Sequence, residues 1–302
     1  MENWDKIDAV QRVQEYIEAH ITEPLSLHML ARAAGYSPWH TSRIFKQLTG
    51  KAPLDYIRSR RLSLAARQLW DRERLIIDVA LDFAFNSHEG FTRAFSDQFG
   101  VTPQRYRSQR PPIPLFMPGR IRDYYLVLQR GEIKVPEKKP ETVFVQVVER
   151  PARKLILKRG IDAVDYFDYC REVGCDVWGV LCSVKEALYE PIGMWLPENL
   201  RRPSTSVYAQ GVEVPPDYRG VVPEGFEIID LPPCKVMVFQ GPRFADEDFT
   251  EAINALWGVI KDYDPEFYGY RWADADGPRF QLVPQGYRGY IEARPVRPLN
   301  NG

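Results

Sequence analysis

The sequence predicts a multidomain chain: an all-α N-terminal domain with two helix-turn-helix units, followed by an α+β domain of two pseudo-symmetric strand-helix-strand repeats. Three observations predict this fold class. Apolar residues recur every three or four positions through the first 110 residues, as in helices. Prolines then interrupt the pattern, and short β-like runs follow. Each half also contains an internal repeat. We therefore expect domains over 1–110 and 143–302, with a connecting segment over 111–142.

The composition is that of an ordinary globular protein, and the sequence argues against a membrane protein, a secreted protein and a metal-binding protein. The 302 residues are 44% hydrophobic and 27% charged, with a net charge of −1. No apolar run is long enough to span a membrane, and the start of the chain is too polar for a signal peptide, so we expect a cytoplasmic, nucleoid-associated protein without a membrane partner. The four cysteines form no CxxC pair, which favours reduced thiols over a metal site.

The first internal repeat lies in the helical region, and its copies are about 50 residues apart. The matching residues are Ala31, Gly35, Tyr36, Arg43, Phe45, Gly50, Pro53 and Tyr56, against Ala80, Ala84, Phe85, Arg93, Phe95, Gly100, Pro103 and Tyr106. The offset grows from 49 to 50 across the turn, so the second copy carries one extra turn residue.

Each copy has the pattern of a short helix, a tight turn and a second helix. In the first copy, Gly35 suits a left-handed turn and Ser37 can cap a helix over 39–48. In the second copy, Asn86 or Ser87 caps a helix over 89–99. Ala84 replaces the turn glycine, and we expect that turn to differ slightly because alanine tolerates the left-handed conformation poorly. A helix over 54–70 joins the copies and would hold the second helices about 34 Å apart, one turn of DNA.

The charge distribution and the helical pattern together predict double-stranded DNA as a partner. A polar second helix after a tight turn is the arrangement that enters the major groove. Cations cluster nearby with only Asp55 to oppose them: Arg43, Lys46, Lys51, Arg58, Arg60, Arg61 and Arg67. The alternative, two plain helical hairpins of a bundle, does not explain why the same residue pattern occurs twice with arginine at the same place.

These residues resemble the DNA-binding domain of AraC/XylS-type activators over nearly all of 5–110. The resemblance rests on Leu27, Leu30, Ala31, Gly35, Tyr36, Ser37, Arg43, Phe45 and Lys46, on Ile77, Val79, Ala80, Phe85, Arg93 and Phe95, and on the closing segment 100–107. It implies that Arg43 and Arg93 contact base edges. The neighbouring candidates are Trp39, His40, Ser42, His88, Glu89 and Thr92. We assign Lys46, Lys51, Arg58 and Arg60 to phosphate contacts or to solvated surface.

The second repeat has a constant offset of 81 residues: segment 147–151 with Lys154 matches segment 228–232 with Lys235. A helix is predicted after each copy, over 162–173 and 246–261. This half resembles the GyrI-like effector-binding domains, on the segments Glu149-Arg150-Pro151, Asp230-Leu231-Pro232 and 290–296. The resemblance implies a small-molecule effector that is lipophilic, aromatic or cationic, held by an acidic residue among aromatic rings. The candidates are Glu292, Glu190, Trp195, Tyr208, Tyr189 and Tyr290, with Glu213 as a further acidic residue.

Enzyme signatures are absent from the second half, so we expect a regulator without catalytic residues, cofactor or metal. All four histidines (His20, His28, His40 and His88) lie in the first domain. Two alternatives remain for the second domain: a protein-interaction module, or a hydrolase in which Tyr208 and Glu292 activate water. RNA polymerase is a further candidate partner, and we expect a monomer or weak dimer. The sequence does not give the operator, the effector or the direction of regulation.

Overall fold

The computed structural model describes residues 4–71, 73–122, 125, 142–174, 176–245 and 248–299. Contacts between Cα atoms divide the chain into two compact units, Met1–Gly131 and Glu132–Gly302, each described here by itself. The division falls within the predicted connecting segment. In the described ranges, no helix is both long and apolar enough to cross a membrane.

The first unit is all-α, as predicted. Its helices are α1 (Trp4–Ala19), α2 (Leu27–Ala34), α3 (Pro38–Thr49), α4 (Pro53–Gln68), α5 (Ile76–Asp82), α6 (His88–Phe99) and α7 (Pro103–Gln109). The predicted helices over 39–48, 54–70 and 89–99 are therefore confirmed as α3, α4 and α6, with bounds shifted by at most two residues. Helices α2–α3 and α5–α6 are the two helix-turn-helix units.

The two helix-turn-helix units share the caps of their second helices and the core contacts of those helices. Ser37 and Ser87 each cap the second helix by accepting a hydrogen bond from a backbone N–H three residues later. At the other end of each helix, Gly50 and Gly100 adopt left-handed conformations. The ring of Phe45 packs on Tyr56 at 5.1 Å, and Phe95 packs on Tyr106 at 5.7 Å. The repeat in the sequence is therefore a repeat in three dimensions.

The turn at Ala84 keeps the geometry of its glycine counterpart, which corrects the expected difference. Ala84 has a φ of 56°, and Gly35 has a φ of 74°. In both turns the residue after this position donates its N–H to a carbonyl five residues back: Tyr36 to Ala31, and Phe85 to Ala80. The extra residue of the second copy lies after this point, so it does not alter the left-handed turn.

The described residues that directly follow α7 belong to the first unit and pack against its helices. Ile113, Leu115 and Ile121 are buried. The Gln14 side chain holds the segment from α1: its Nε2 donates to Gly119 O at 3.1 Å, and its Oε1 accepts from Ile121 N at 2.9 Å. Residues 126–141 of the predicted connecting segment lie outside the described residues.

The second unit is α+β, as predicted. Its strands are β1 (Phe144–Arg150), β2 (Arg153–Arg159), β3 (Ile192–Trp195), β4 (Tyr208–Val214), β5 (Glu227–Leu231), β6 (Cys234–Gln240), β7 (Tyr270–Trp272), β8 (Arg279–Gln281) and β9 (Ile291–Pro298). Its helices are α8 (Tyr166–Val173), α9 (Asp176–Cys182) and α10 (Phe249–Asp262).

The strand order of the antiparallel sheet has an internal two-fold pattern. The order is β1-β6-β9-β8-β3-β4-β2-β5, with β7 beside β9. The counterparts of β1, β2, β3 and β4 in the second repeat are β5, β6, β8 and β9. Exchanging each strand with its counterpart reverses the order, so the pseudo-axis runs between β3 and β8. The first strand of each repeat pairs with the second strand of the other: β1 with β6, and β5 with β2. The repeats therefore interlock, and neither forms its half of the sheet alone.

Three apolar clusters cover the two faces of the sheet. On one face, α8 and α9 cover a cluster that includes Tyr208 and Val212, while α10 covers Phe239 and Tyr290. The opposite face carries its own apolar cluster, which includes Phe280. The first face, which we call the helix face, holds four of the candidate effector residues near the pseudo-axis: Trp195, Tyr208, Tyr290 and Glu292.

Candidate functional sites

Helix α3 buries one side and presents a polar side with an exposed tryptophan. Ile44 and Phe45 are fully buried, whereas Trp39 is 71% exposed. The exposed Arg43 guanidinium lies 5.2 Å from the Trp39 ring centroid, one helical turn away. This stacking presents the arginine and the indole together, where a base edge in the major groove could meet both.

Helix α6 repeats this arrangement with different chemistry. Phe91 and Phe95 are buried, and Arg93 is exposed at the position equivalent to Arg43. His88 and Glu89 are exposed in the first turn. The Glu89 carboxylate can only accept hydrogen bonds, which suits the amino group of cytosine. Thr92 is a weaker candidate because its Oγ1 is buried without a hydrogen-bond partner in the described residues.

The remaining candidates on α3 are only partly exposed. His40 lies 4.7 Å from Tyr36, ring centroid to ring centroid, and Ser42 is half-buried. The α2–α3 turn is fixed from α1, where Arg12 donates to the carbonyls of Ala33 and Ala34. These bonds satisfy the end of α2 and set the position of α3.

Of the four residues assigned to phosphate contacts, three are exposed: Lys46, Lys51 and Arg58. Arg60 already forms a bidentate ion pair with Glu18, with its Nε and Nη2 both 2.9 Å from carboxylate oxygens. The guanidinium thus holds α4 to α1, and this pairing weakens Arg60 as a phosphate contact.

The structure brings four of the six candidate effector residues together on the helix face. Trp195 and Tyr208 form a ring pair at 5.3 Å, and Tyr208 connects through Gln281 to Tyr290 and Glu292. Strand register explains the cluster. Glu292, Gln281, Gly193 and Gln210 form one row across β9, β8, β3 and β4.

A second row lies beside the first: Arg279, Trp195 and Tyr208, on β8, β3 and β4. Gly193 leaves the space that the Tyr208 hydroxyl occupies, since a Cβ there would lie 1.9 Å from that oxygen. Gln210 Oε1 is buried without a hydrogen-bond partner among the described residues. The two rows form a polar and aromatic floor between α8–α9 and α10.

Glu292 is the centre of a dense hydrogen-bond network. Its side chain is 1% exposed. Its Oε2 accepts from Trp257 Nε1 at 2.7 Å and lies 3.2 Å from the Tyr290 hydroxyl. Its Oε1 accepts from Arg279 Nε at 2.5 Å. Both carboxylate oxygens thus have protein hydrogen-bond partners, which replace the water lost on burial.

Burial raises the pKa of both central phenols. Desolvation is the largest cause for Tyr208 and for Tyr290, and the nearby Glu292 charge raises the pKa of Tyr290 further. Both phenols therefore remain protonated near neutral pH. They can donate or accept hydrogen bonds, but neither supplies a phenolate base.

The other three candidates, two acidic and one aromatic, lie apart from this network. Glu190 forms a bidentate ion pair with Arg288, at 2.5 and 2.8 Å. Tyr189 lies under the Arg150 guanidinium, 3.9 Å from the ring centroid. Glu213 is buried on the opposite face, where it accepts hydrogen bonds from Arg150 and Arg153. In the described part of the chain, none of the three hydrogen-bonds to Glu292 or Tyr290.

Sequence reasoning missed Arg279, Gln281, Gly193 and Trp257 as members of this site. Arg279 and Gln281 alternate along a three-residue strand, which is too short to predict from periodicity. Trp257 lies on α10, and only the packing of that helix brings its indole to Glu292. One cavity of about 440 Å³ lies away from this site; its lining includes Val145, Val147, Met237, Tyr263, Tyr268 and Tyr270.

Comparison with known proteins finds that the first unit is similar to helix-turn-helix domains of regulatory proteins. A family model described as a helix-turn-helix domain matches residues 30–109. The regulatory protein SoxS of Escherichia coli (strain K12) is 42% identical over 98 residues, which cover 32% of this chain and 92% of SoxS. A solved AraC-type regulator from Chromobacterium violaceum is 30% identical, with a TM-score of 0.33, and covers 35% of this chain and 96% of its own.

A longer relative extends the similarity into the second unit. The transcriptional regulator Rob of Salmonella typhimurium is 34% identical over 182 residues, 58% of this chain and 56% of Rob. Because 58% of the chain exceeds the length of the first unit, the match must continue beyond it. The chain spans little more than half the length of Rob. These relatives are named as regulators, not as enzymes. The chain belongs to the AraC family of DNA-binding transcription regulators.

Proposed function

We propose that the chain is a sequence-specific regulator that reads DNA with α3 and α6 and responds to a small molecule bound by its second unit. In this proposal Arg43 and Arg93 contact base edges, assisted by Trp39, His40, Ser42, His88 and Glu89. Lys46, Lys51 and Arg58 hold phosphates. The regulator works in the cytoplasm at the nucleoid, as a monomer or weak dimer, and RNA polymerase is a candidate partner.

The observation that carries DNA reading is the matched pair of capped helices. Each presents one exposed arginine at the same position, above a core of buried aromatic rings. A guanidinium suits bidentate contact with guanine O6 and N7. The two arginines on one rigid unit would read two successive major-groove segments.

The test is a pair of arginine substitutions measured on a site selected from random DNA. Arg43→Ala and Arg93→Ala should each cost about 1–3 kcal/mol, or roughly 5- to 150-fold in affinity for the selected site. Fluorescence anisotropy gives the affinities, and unrelated DNA gives the non-specific reference. Arg219→Ala, an exposed arginine of the second unit, is the matched control. Unchanged discrimination in both variants would remove the arginines from base reading.

The observation that supports an effector site is a buried carboxylate surrounded by aromatic rings. Glu292 contacts Trp257 and Tyr290, and Trp257 packs on Trp195 at 6.4 Å. The exposed Val164 lies beside them, because its carbonyl accepts from Trp195 Nε1. An acidic group within an apolar, aromatic rim suits an aromatic or lipophilic cation.

A thermal-shift screen of the full chain tests this second part. Lipophilic cations, neutral aromatics and anionic metabolites are the probes, and a bound probe raises the melting temperature by mass action. We expect a hit among the cations that is lost in Glu292→Gln and retained in Glu190→Gln, the ion-paired carboxylate outside the network. A hit that survives Glu292→Gln would move the site elsewhere.

One observation favours a protein-interaction role for the second unit. The central side chains contact one another, and both carboxylate oxygens of Glu292 already accept hydrogen bonds from the protein. A negative result for all three probe classes would favour that reading. The hydrolase alternative lacks a supporting geometry, because both phenols stay protonated and Glu292 is hydrogen-bonded at both oxygens.

A further inference from the structure

Arg279 covers the solvent-facing side of Glu292. Its side chain is 36% exposed, whereas that of Glu292 is 1% exposed. The Nε donates to Glu292 Oε1 at 2.5 Å, and the guanidinium carbon lies 4.6 Å from the Trp195 ring centroid. Trp257 and Tyr290 meet the other carboxylate oxygen from within.

These contacts are the ones that a lipophilic cation would make in the same place. Such a cation needs a carboxylate partner and an aromatic face. The guanidinium already has both, Glu292 and Trp195. Arg279 is thus itself a cation seated in the candidate effector site.

The guanidinium is held on one edge only. Its Nη atoms hydrogen-bond to no protein group among the described residues, and a single hydrogen bond and a single ring contact retain it. A half-exposed, monodentate pair costs less to break than a buried bidentate pair. The side chain can therefore leave toward solvent without disturbing the strands.

We propose that Arg279 is a built-in competitor that occupies the position of a cationic effector and must swing out before such an effector reaches Glu292. This inference rests on the proposed effector-binding function of the second unit. It also has a consequence for specificity. A small hydrated cation cannot replace the contact with Trp195, so only a cation with a large aromatic surface displaces the arginine.

The test measures binding of two ions of equal shape and opposite charge, tetraphenylphosphonium and tetraphenylborate, to the full chain by titration calorimetry. Arg279→Gln should bind the cation about tenfold or more tightly than the natural protein, because the competitor is gone and Glu292 remains. Arg279→Met, uncharged and of similar length, repeats the test should the glutamine variant misfold.

Arg294→Gln is the matched control. Arg294 also stacks on a tryptophan, 4.3 Å from the Trp272 centroid, and also pairs with a carboxylate, Asp274, but outside the site. Its substitution should leave both affinities unchanged.

Three outcomes would overturn the inference, and they separate it from the proposed function. If the natural protein binds the cation and both uncharged Arg279 variants bind it no more tightly, Arg279 does not compete, although effector binding stands. If the natural protein binds the borate and the variants lose it, Arg279 is an anion ligand instead. If neither ion binds to any variant, the inference and the proposed effector site both fail.

Discussion

At the scale of single residues, the left-handed positions show how backbone geometry overrides side-chain preference. Gly35 and Ala84 have the same role in the two turns, yet only the glycine adopts a positive φ without strain. The turn at Ala84 keeps its shape because the helix after it has the same serine cap and aromatic core packing as in the first helix-turn-helix unit. The alanine conformation therefore costs free energy, and the packing of the surrounding structure holds the residue in it.

Ala84→Gly should raise the free energy of unfolding of the first unit by about 1 kcal/mol, since it removes that strain. The reverse change, Gly35→Ala, should lower it by a similar amount. No heavy atom lies closer than 4.0 Å to a Cβ built at Gly35, so the cost there is conformational and not steric. Urea denaturation measures both. A loss of stability in Ala84→Gly would show that the alanine is not strained.

Residues of the proposed effector site differ in how far the sequence reveals them. The family resemblance named Glu292, Tyr208, Tyr290 and Trp195, and the structure brings these together. The resemblance could not name Arg279, because its place in the site depends on the pairing of β8 with β3, which sets it opposite Trp195. Register across a sheet is set by pairing between distant segments, which periodicity within one segment does not encode.

At the scale of elements, the serine caps define where the second helix of each helix-turn-helix unit begins. The Ser37 and Ser87 hydroxyls accept from the N–H groups of His40 and Gly90, at 3.3 and 3.0 Å. Each bond satisfies one of the free donors at a helix start. The same serine cap therefore begins α3 and α6, although Ser87 follows one extra turn residue.

Ser37→Ala and Ser87→Ala should each lower the free energy of unfolding by about 1 kcal/mol. Ser42→Ala, in the same helix as Ser37 but in its interior, should cost nothing, because alanine is the better helix former. Thermal denaturation of the three variants makes the comparison. Equal losses in Ser37→Ala and Ser42→Ala would contradict the assigned cap.

Two pairs of strands that follow each other in the sequence, β1 with β2 and β5 with β6, do not pair with each other in the sheet. Only two residues separate β1 from β2, and β5 from β6, a length typical of hairpins. Yet β1 pairs with β6 and β2 with β5. Because a two-residue link spans only about 10 Å, strands from opposite ends of the sheet order must approach each other at these links. The sheet is therefore curled.

At the scale of the whole molecule, the described residues after α7 complete the first unit. Ser63 on α4 accepts a hydrogen bond from Phe116 N at 2.7 Å, and Phe116 packs on Tyr56 at 5.0 Å. The segment thus covers the core beneath the first helix-turn-helix unit. It contributes to the fold of the DNA-binding unit and does more than connect two domains.

A fragment of residues 1–131 should be more stable than one of residues 1–110 and should melt at a higher temperature. The longer fragment buries three apolar side chains that the shorter one lacks, Ile113, Leu115 and Ile121. Equal melting temperatures for the two fragments would show that the segment adds nothing to the first unit.

The sequence by itself determined the helices on either side of the two turns, the cap at Ser37 with the left-handed turn at Gly35, and the duplication in each half. These features depend on residues close together in the chain: a serine before a helix, a glycine after it, or apolar residues every three or four positions. It also separated the α-helical half from the α+β half through prolines and a change of period.

Only the tertiary structure decided which charged groups are free and which are already paired. It pairs Arg60 with Glu18 and Glu190 with Arg288, and it seats Arg279 on Glu292. These pairs join residues on different elements. An ion pair depends on distance in space, and a single sequence records only distance along the chain.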